Sequence, residues 1–421
     1  MLLAPATIAS TLNWVSLALR RTVSPARANI RDNKSVDFQL TDEQRELQAT
    51  ARRFARSELP ALARKLEETD EPLPLTMRKR FAEMGFLGIN LPEVFGGMGL
   101  GHLEALLVLE QFAMISPAVA WPIFESATGP VRTLHHYGSE SLKQRFIPAV
   151  VRGEKVLAAS MSEPAAGTAL TDLMTSGRFE GNEIVLNGQK RWCSGGGHSD
   201  AYIVYCRLSD APGAKAIGAV IVEKERDGVS FGRPERLMGF RGIPSADIFF
   251  DGVRVPRDNL IVPAGNFSKL MSAFGLERCG NATMSLGIAA AALEDAIAYA
   301  QERRQFGKSI VDFQAVQLKI ADMAMRVEAA RLLIYRAATN AAQGLPSVIE
   351  SSIAKCFANE MVRDVAINGM QIMGGYGYSR EYPMEQRVRD SFAWGIAGGT
   401  TDVQKTNITA ALIGRRFKQR S

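Results

Sequence analysis

Four short apolar runs, Glu183-Ile-Val-Leu-Asn187, Ala201-Tyr-Ile-Val-Tyr205, Ile217 to Val222 and Asp247 to Val255, decide the architecture. They are rich in β-branched and aromatic residues and bounded by Gly, Asn, Asp or Pro, so residues 156–264 read as an all-β segment. On both sides the period turns helical. Over residues 37–155, Leu47, Ala51 and Phe54 fall at i, i+4 and i+7 behind a capping-box pair, Thr41 with Gln44. Over residues 265–421 the helical segments are long; Gly344 and Pro346 end one, and Ser347 with Glu350 caps the next. Strands grouped between two helical stretches, not alternating with helices, argue against a Rossmann sheet. The expectation is a multidomain α+β protein.

A length of 421 residues, 46% hydrophobic and 22% charged, suits two or three globular domains and excludes disordered, collagen-like and disulfide-scaffold classes. The net charge is +6. Five basic residues, Arg20, Arg21, Arg27, Arg31 and Lys34, stand against one acid, Asp32, in residues 1–36, so this leader holds most of the excess. The body is nearly balanced and shows no basic clustering with interleaved aromatics, which argues against nucleic acid. The leader reads as a mitochondrial transit peptide or as a disordered tail from an upstream start, and both stay open. They imply the mitochondrial matrix or, in a bacterium, the cytoplasm. No run approaches the roughly twenty apolar residues of a membrane span. Cys193, Cys206, Cys279 and Cys356 have no CxxC spacing and the four His form no ligand pair, so no metal site is expected.

Phe95-Gly-Gly-Met-Gly-Leu-Gly101 and Gly374-Gly-Tyr-Gly377 form no GxGxxG after a strand, and no GxxxxGK[ST] occurs. Tight turns and close packing account for them. No nucleophile elbow, kinase set or hydrolytic triad is visible.

From about Phe38 onward the chain resembles the acyl-CoA dehydrogenase family, through several motifs in order. Ser160-Met-Ser-Glu-Pro-Ala-Ala-Gly-Thr168 resembles the segment along the flavin, and Lys190-Arg-Trp-Cys-Ser194 the strand that follows. The resemblance implies a middle β-barrel domain, a C-terminal four-helix bundle and FAD. Met161 and Ser162 would face the flavin pyrimidine edge, Trp192 would lie against the isoalloxazine, and Ser194 would bond near its reactive nitrogen. Such donors stabilise a reduced flavin anion, and an aromatic wall limits reoxidation. Glu302-Arg-Arg-Gln-Phe-Gly-Lys308 with Phe313-Gln314 resembles the stretch that holds the FAD pyrophosphate and adenine across a subunit interface, which implies roles for Arg303, Gln305, Phe306 and Gln314. Gln371-Ile-Met-Gly-Gly375 resembles the second half of that site, through Gln371, Gly374 and Gly375. At least a dimer is implied, and commonly a dimer of dimers.

The base is where the chain departs. Many members carry Tyr-Glu-Gly-Thr before the last helix, the Glu being the base, but this chain has Ile396-Ala-Gly-Gly-Thr400, with Gly398 at that position. Phe274-Gly-Leu-Glu-Arg278 resembles instead the Leu-x-x-Glu-Arg segment of isovaleryl- and long-chain-type members, which makes Glu277 the candidate base. A carboxylate suffices where the site stabilises enolate-like charge and desolvation raises its basicity. By resemblance the thioester oxygen meets the Gly398 amide, Thr400, Asp402 and Gln404 help hold the flavin, and Thr168, Phe274 and Arg278 line the substrate. Gly275 stands where relatives often carry an aspartate toward the CoA arm.

Ala397, Gly398 and Gly399 leave space beside the reacting carbons, which favours a branched or cyclic acyl group. The leading expectation is an acyl-CoA dehydrogenase that passes electrons to an electron-transfer flavoprotein. Beside it stand a relative of other chemistry on a functionalised acyl-CoA (desulfinase, oxidase or reductase) and a binding or assembly protein without turnover.

Overall fold

The computed structural model describes residues 39–342, 344–415 and 417. The leader therefore lies outside the described residues. Seven helices come first: α1 (Asp42–Glu58), α2 (Pro60–Thr69), α3 (Leu75–Glu83), α4 (His102–Ala113), α5 (Pro117–Ala127), α6 (Pro130–Tyr137) and α7 (Glu140–Val151). The expected capping box opens α1: Gln44 N–H donates to Thr41 Oγ1 at 3.2 Å while Thr41 N–H donates to Gln44 Oε1 at 3.0 Å. Helix α4 is apolar on nearly every side and is buried accordingly, and Phe112 on it gathers Phe54, Phe81 and Phe86 at ring separations of 5.0–5.8 Å.

Strands β1 (Leu157–Ser160), β2 (Ser176–Glu180), β3 (Glu183–Ser194), β4 (Ala201–Arg207), β5 (Ile217–Glu223), β6 (Val229–Phe231), β7 (Ser245–Pro256) and β8 (Leu260–Val262) form one sheet. Its order is β6-β7-β3-β2-β4-β5-β8, with β1 paired to β4. Among the described residues no ladder joins β6 to β8, so hydrogen bonds do not close the expected barrel into a ring. Both faces of β4 and β5 are covered. Ile203, Tyr205 and Ile221 pack with helical residues such as Phe146 and Leu270, while Tyr202, Val204, Val220 and Val222 pack with Ile184, Ile248 and Phe250. That two-sided burial explains why these strands read as continuous apolar runs.

The C-terminal part holds α8 (Phe267–Glu302), the hairpin β9 (Arg304–Gln305) and β10 (Lys308–Ser309), then α9 (Gln314–Ala341), α10 (Val348–Met373), the short α11 (Gly375–Tyr378), α12 (Met384–Ala393) and α13 (Thr401–Ile413). Ser347 caps α10 through the Glu350 N–H at 3.2 Å. The 36 residues of α8 run about 54 Å. Leu270 and Phe274 at its start pack with the sheet, whereas Leu276 and Cys279 belong to the core of the helices. Position 277 lies at the seam.

Gly275 fits here for a packing reason. A Cβ there would stand 2.6 Å from the Pro346 carbonyl oxygen, so the position faces the start of α10 at van der Waals contact and has no room for an aspartate.

Candidate active site

Glu277 faces the turn between α12 and α13, residues 394–400. Gly398 in that turn has φ of +63°, and a Cβ built on it would lie 3.6 Å from Glu277 Oε1 and 3.9 Å from Lys355 Cε. Ala397 and Gly399 on either side are exposed, so small residues border an opening directly beside the carboxylate.

A buried polar network holds this turn. Lys355 Nζ donates to the carbonyls of Trp394 at 3.0 Å, Ala397 at 2.8 Å and Gly399 at 3.0 Å. Asn359 Nδ2 donates to Trp394 O at 2.6 Å and to Asn281 Oδ1 at 2.9 Å, and Ser285 donates to Asn359 Oδ1 at 2.7 Å. Lys355, Asn359 and Ser285 are fully buried. Buried groups of this kind fix one backbone conformation because leaving any of them unpaired is costly. Trp394 anchors the start of the turn against Phe240 and Phe124, with ring centroids 4.5 and 5.6 Å away.

Burial pushes the Glu277 carboxyl up to about 7, with the charges of Lys355 and Arg278 pulling the other way. Burial likewise drives Lys355 down, opposed by Glu277. Its three carbonyl acceptors match the three N–H groups of an ammonium, so geometry favours the charged form. A second carboxyl sits close by: Glu125 on α5 is 5% exposed, has no hydrogen-bond partner among the described residues, and is driven well above the carboxylate range by burial and then by the charge of Glu277.

Across the β domain, the segment read as following the flavin is pinned from beneath. Lys190, fully buried, pairs with Glu163 at 2.8 Å and donates to Met161 O at 3.0 Å, while Arg191 N–H donates to Ser162 O at 2.8 Å. Glu163 also accepts from the Thr175 N–H; burial pushes its carboxyl up, but Lys190 and the N–H donors together hold it below the usual carboxylate range. Between Lys190 and Cys193 the β3–β7 register slips, and Trp192 takes φ of +59° with 53% of its surface exposed. A bulge that turns a tryptophan outward in a left-handed conformation re-aims that side chain at a ligand face. Arg191 lies over its ring at 4.3 Å. Met161, Ser162 and Ser194 are partly exposed and Thr168 is exposed.

The two stretches read as halves of one nucleotide site do meet. Arg303, Gln305, Gly374 and Gly375 line a single cleft of about 750 Å³ with Tyr376 and Tyr299. Arg303 lies over the Tyr376 ring at 5.7 Å, and no carboxylate pairs with it among the described residues. A free guanidinium beside glycine backbone and an aromatic wall fits a diphosphate carrying a planar base. Phe306 at the hairpin tip is 94% exposed, and Gln314 and Gln371 are exposed too.

Three further expected residues are buried. Gln404 is 1% exposed; its Nε2 donates to Gly399 O at 3.1 Å and its Oε1 accepts from Ser352 at 3.0 Å. It supports the turn from within, because the first turn of α13 packs on α10. Phe274 and Arg278 are buried at 5% and 7% exposure, and Arg278 Nε and Nη1 have no hydrogen-bond partner among the described residues. Thr400 caps α13 through the Val403 N–H at 3.3 Å, and Asp402 is exposed. Lys355, Asn359, Asn281 and Glu125 were missed. One signal was available: Ser352, Lys355 and Asn359 form a polar stripe at i, i+3 and i+7 on a helix that is otherwise apolar on that side.

A buried carboxyl at the seam of two cores, an outward tryptophan on a bulged strand and an arginine-lined cleft are compatible with the flavin-dependent acyl-CoA chemistry that the resemblance implied. The chain matches the acyl-CoA dehydrogenase N-terminal domain over residues 41–154, the middle domain over 158–253 and the C-terminal domain over 267–413. It belongs to the acyl-CoA dehydrogenase family and is an FAD-dependent oxidoreductase. It is 36% identical to 3-sulfinopropanoyl-CoA desulfinase of Paraburkholderia xenovorans (strain LB400), covering 91% of this chain and 99% of that protein. It is 35% identical to an acyl-CoA dehydrogenase of Bacillus subtilis (strain 168), covering 89% and 99%. It is also 35% identical to the Caffeyl-CoA reductase-Etf complex subunit CarC of Acetobacterium woodii, covering 89% and 99%. Among solved structures, butyryl-CoA dehydrogenase from Megasphaera elsdenii superposes with a TM-score of 0.87 at 32% identity, covering 90% of this chain and 100% of that one. The FAD complex of PigA superposes at 0.85 with 26% identity, covering 90% and 99%.

Proposed function

We propose that this protein removes the α-proton and β-hydride of an acyl-CoA thioester, with Glu277 as the base. The observation that carries this reading is the meeting of a carboxyl raised to about 7 with the small-residue turn at Gly398. A base with a pKa near the working pH combines a useful deprotonated fraction with basicity toward a weak carbon acid. The Gly398 amide holds the thioester oxygen, and bound FAD supplies the hydride acceptor. Trp192 and Ser194 cover the flavin face, with Met161 and Ser162 at its edge. Arg303, Gln305, Phe306 and Gln314, with Gln371, Gly374 and Gly375, hold its diphosphate and adenine across a subunit contact. Exposed Leu318, Met325 and Leu332, seven residues apart on α9, supply an apolar stripe for a dimer of dimers.

The acyl group is branched or cyclic, since Ala397, Gly398 and Gly399 leave the space open. Electrons go to an electron-transfer flavoprotein, a reading supported by the Etf-complex relative. The bacterial relatives favour the cytoplasmic option over the transit-peptide option. No helix among the described residues is long and apolar enough to cross a membrane.

Desulfination is the second reading, favoured by the similarity to a desulfinase. Against it stands the Glu277 carboxyl beside the opening, which is ionised above a pKa of about 7 and makes an unfavourable setting for an anionic sulfinate. Anaerobic mixing of holoenzyme with isovaleryl-, cyclohexanecarboxyl-, octanoyl- and 3-sulfinopropanoyl-CoA tests both, since only the last can release sulfite. Stoichiometric flavin bleaching without sulfite release supports dehydrogenation, and bleaching by octanoyl-CoA alone contradicts the branched or cyclic substrate.

A further inference from the structure

The Ala397–Gly398 peptide is trans, so its C=O and N–H point in opposite directions. Lys355 Nζ takes the carbonyl end at 2.8 Å, and the Gly398 N–H then faces away from the ammonium and donates to no protein group among the described residues. We propose that Lys355 is a positioning residue for thioester activation: by gripping the Ala397 carbonyl it aims the Gly398 N–H at the substrate oxygen and makes it a stronger donor. This rests on the dehydrogenase reading above.

Three features support a role beyond filling space. Lys355 is fully buried within an apolar helix packing, where a leucine or methionine would fit more cheaply than a charge. All three of its hydrogen bonds go to carbonyls of one turn, at Trp394, Ala397 and Gly399, so the ammonium holds that backbone directly, while its charge also reaches Glu277. A positive charge on a carbonyl oxygen polarises the whole peptide unit, so the amide hydrogen at its other end binds developing negative charge more strongly. Gly398 has no side chain to contribute, which leaves its backbone as the active part of that position. Asn281 Nδ2 reaches the same carbonyl at 3.4 Å and adds a weaker, neutral bond.

Lys355→Met and Lys355→Gln test this, the second keeping hydrogen-bond donors without the charge in case the first does not fold. The probe is 3-methylcrotonyl-CoA or 2-octenoyl-CoA labelled with carbon-13 at the thioester carbonyl, bound to oxidised holoenzyme and read by infrared difference spectroscopy. In the wild type the carbonyl stretch moves to lower wavenumber. In the FAD-loaded variants the displacement falls by more than half, kcat for the best acyl-CoA drops about 100-fold and KM stays within about threefold. A displacement and kcat near the parent's in FAD-loaded Lys355→Gln overturn the assignment. Absence of any displacement in the wild type, with no acyl-CoA bleaching its flavin, would instead defeat the dehydrogenase reading.

Discussion

Gly398 and Glu277, 121 positions apart, occupy one place: a Cβ at 398 would touch the Glu277 carboxylate at 3.6 Å. A glutamate borne on the turn and a glutamate borne on α8 therefore address the same point in space, and this chain keeps the second. Gly398→Ala should be tolerated sterically, since 3.6 Å is ordinary contact, yet its φ of +63° disfavours a side chain by about 1 kcal/mol. The variant should melt slightly earlier. Its kcat/KM should fall more with isovaleryl-CoA than with octanoyl-CoA, because the added methyl narrows the opening.

The rate of flavin reduction should rise about tenfold per pH unit below 7 and level off above it, because Glu277, raised to about 7 by burial, must lose its proton before it can act. Anaerobic stopped-flow measurements between pH 5.5 and 9 check this. A rate independent of pH across that range contradicts Glu277 as the titrating base.

The same shift has a consequence for stability. Between the ordinary carboxyl value of 4.5 and about 7, the folded chain keeps a proton on Glu277 that the unfolded chain has released. The contribution is thus complete below 4.5 and lost as the pH climbs through 7. Glu277→Gln removes that dependence, so the variant should be more stable than the parent by about 3 kcal/mol at pH 8 and within about 1 kcal/mol of it at pH 5. Thermal melts at the two pH values give the comparison.

Trp192→Ala should leave folding nearly untouched, since 53% of the side chain is exposed and its neighbour over the ring is Arg191. The reduced flavin, less shielded, should react with oxygen about tenfold faster in the variant. Mixing photoreduced enzyme with aerated buffer reads that rate.

Arg303→Ala removes a cation without a carboxylate partner from the cleft beside Gly374 and Gly375. Stability of the apoprotein should not change, while FAD affinity should weaken about 10- to 100-fold, the worth of a charge-assisted phosphate contact. Ultrafiltration of flavin from variant and parent measures it.

Much of the fold was legible because it depends on local signals. The runs at 183, 201, 217 and 247 are strands, and Thr41 and Ser347 cap helices where their spacing to Gln44 and Glu350 said they should. The meeting of Arg303 with Gly374 was implied by resemblance, and the cleft contains both. What escaped is non-local. Lys355 matters through carbonyls some forty residues later, and nothing in its own neighbourhood says which backbone it will grip. Glu125 reads as one acid on an apolar helix, and its closeness to Glu277 arises only when α5 packs against α8. Motif order likewise did not foretell that Gln404 would bond inward to Gly399 and Ser352.

The central claim, that Glu277 takes the substrate proton, is tested most directly by anaerobic single-turnover mixing of Glu277→Gln holoenzyme with the acyl-CoA that bleaches the wild type fastest. The variant should stay yellow, bind the thioester with a perturbed flavin spectrum, and reduce at least about 1,000-fold more slowly. Bleaching within tenfold of the wild-type rate would place the base elsewhere.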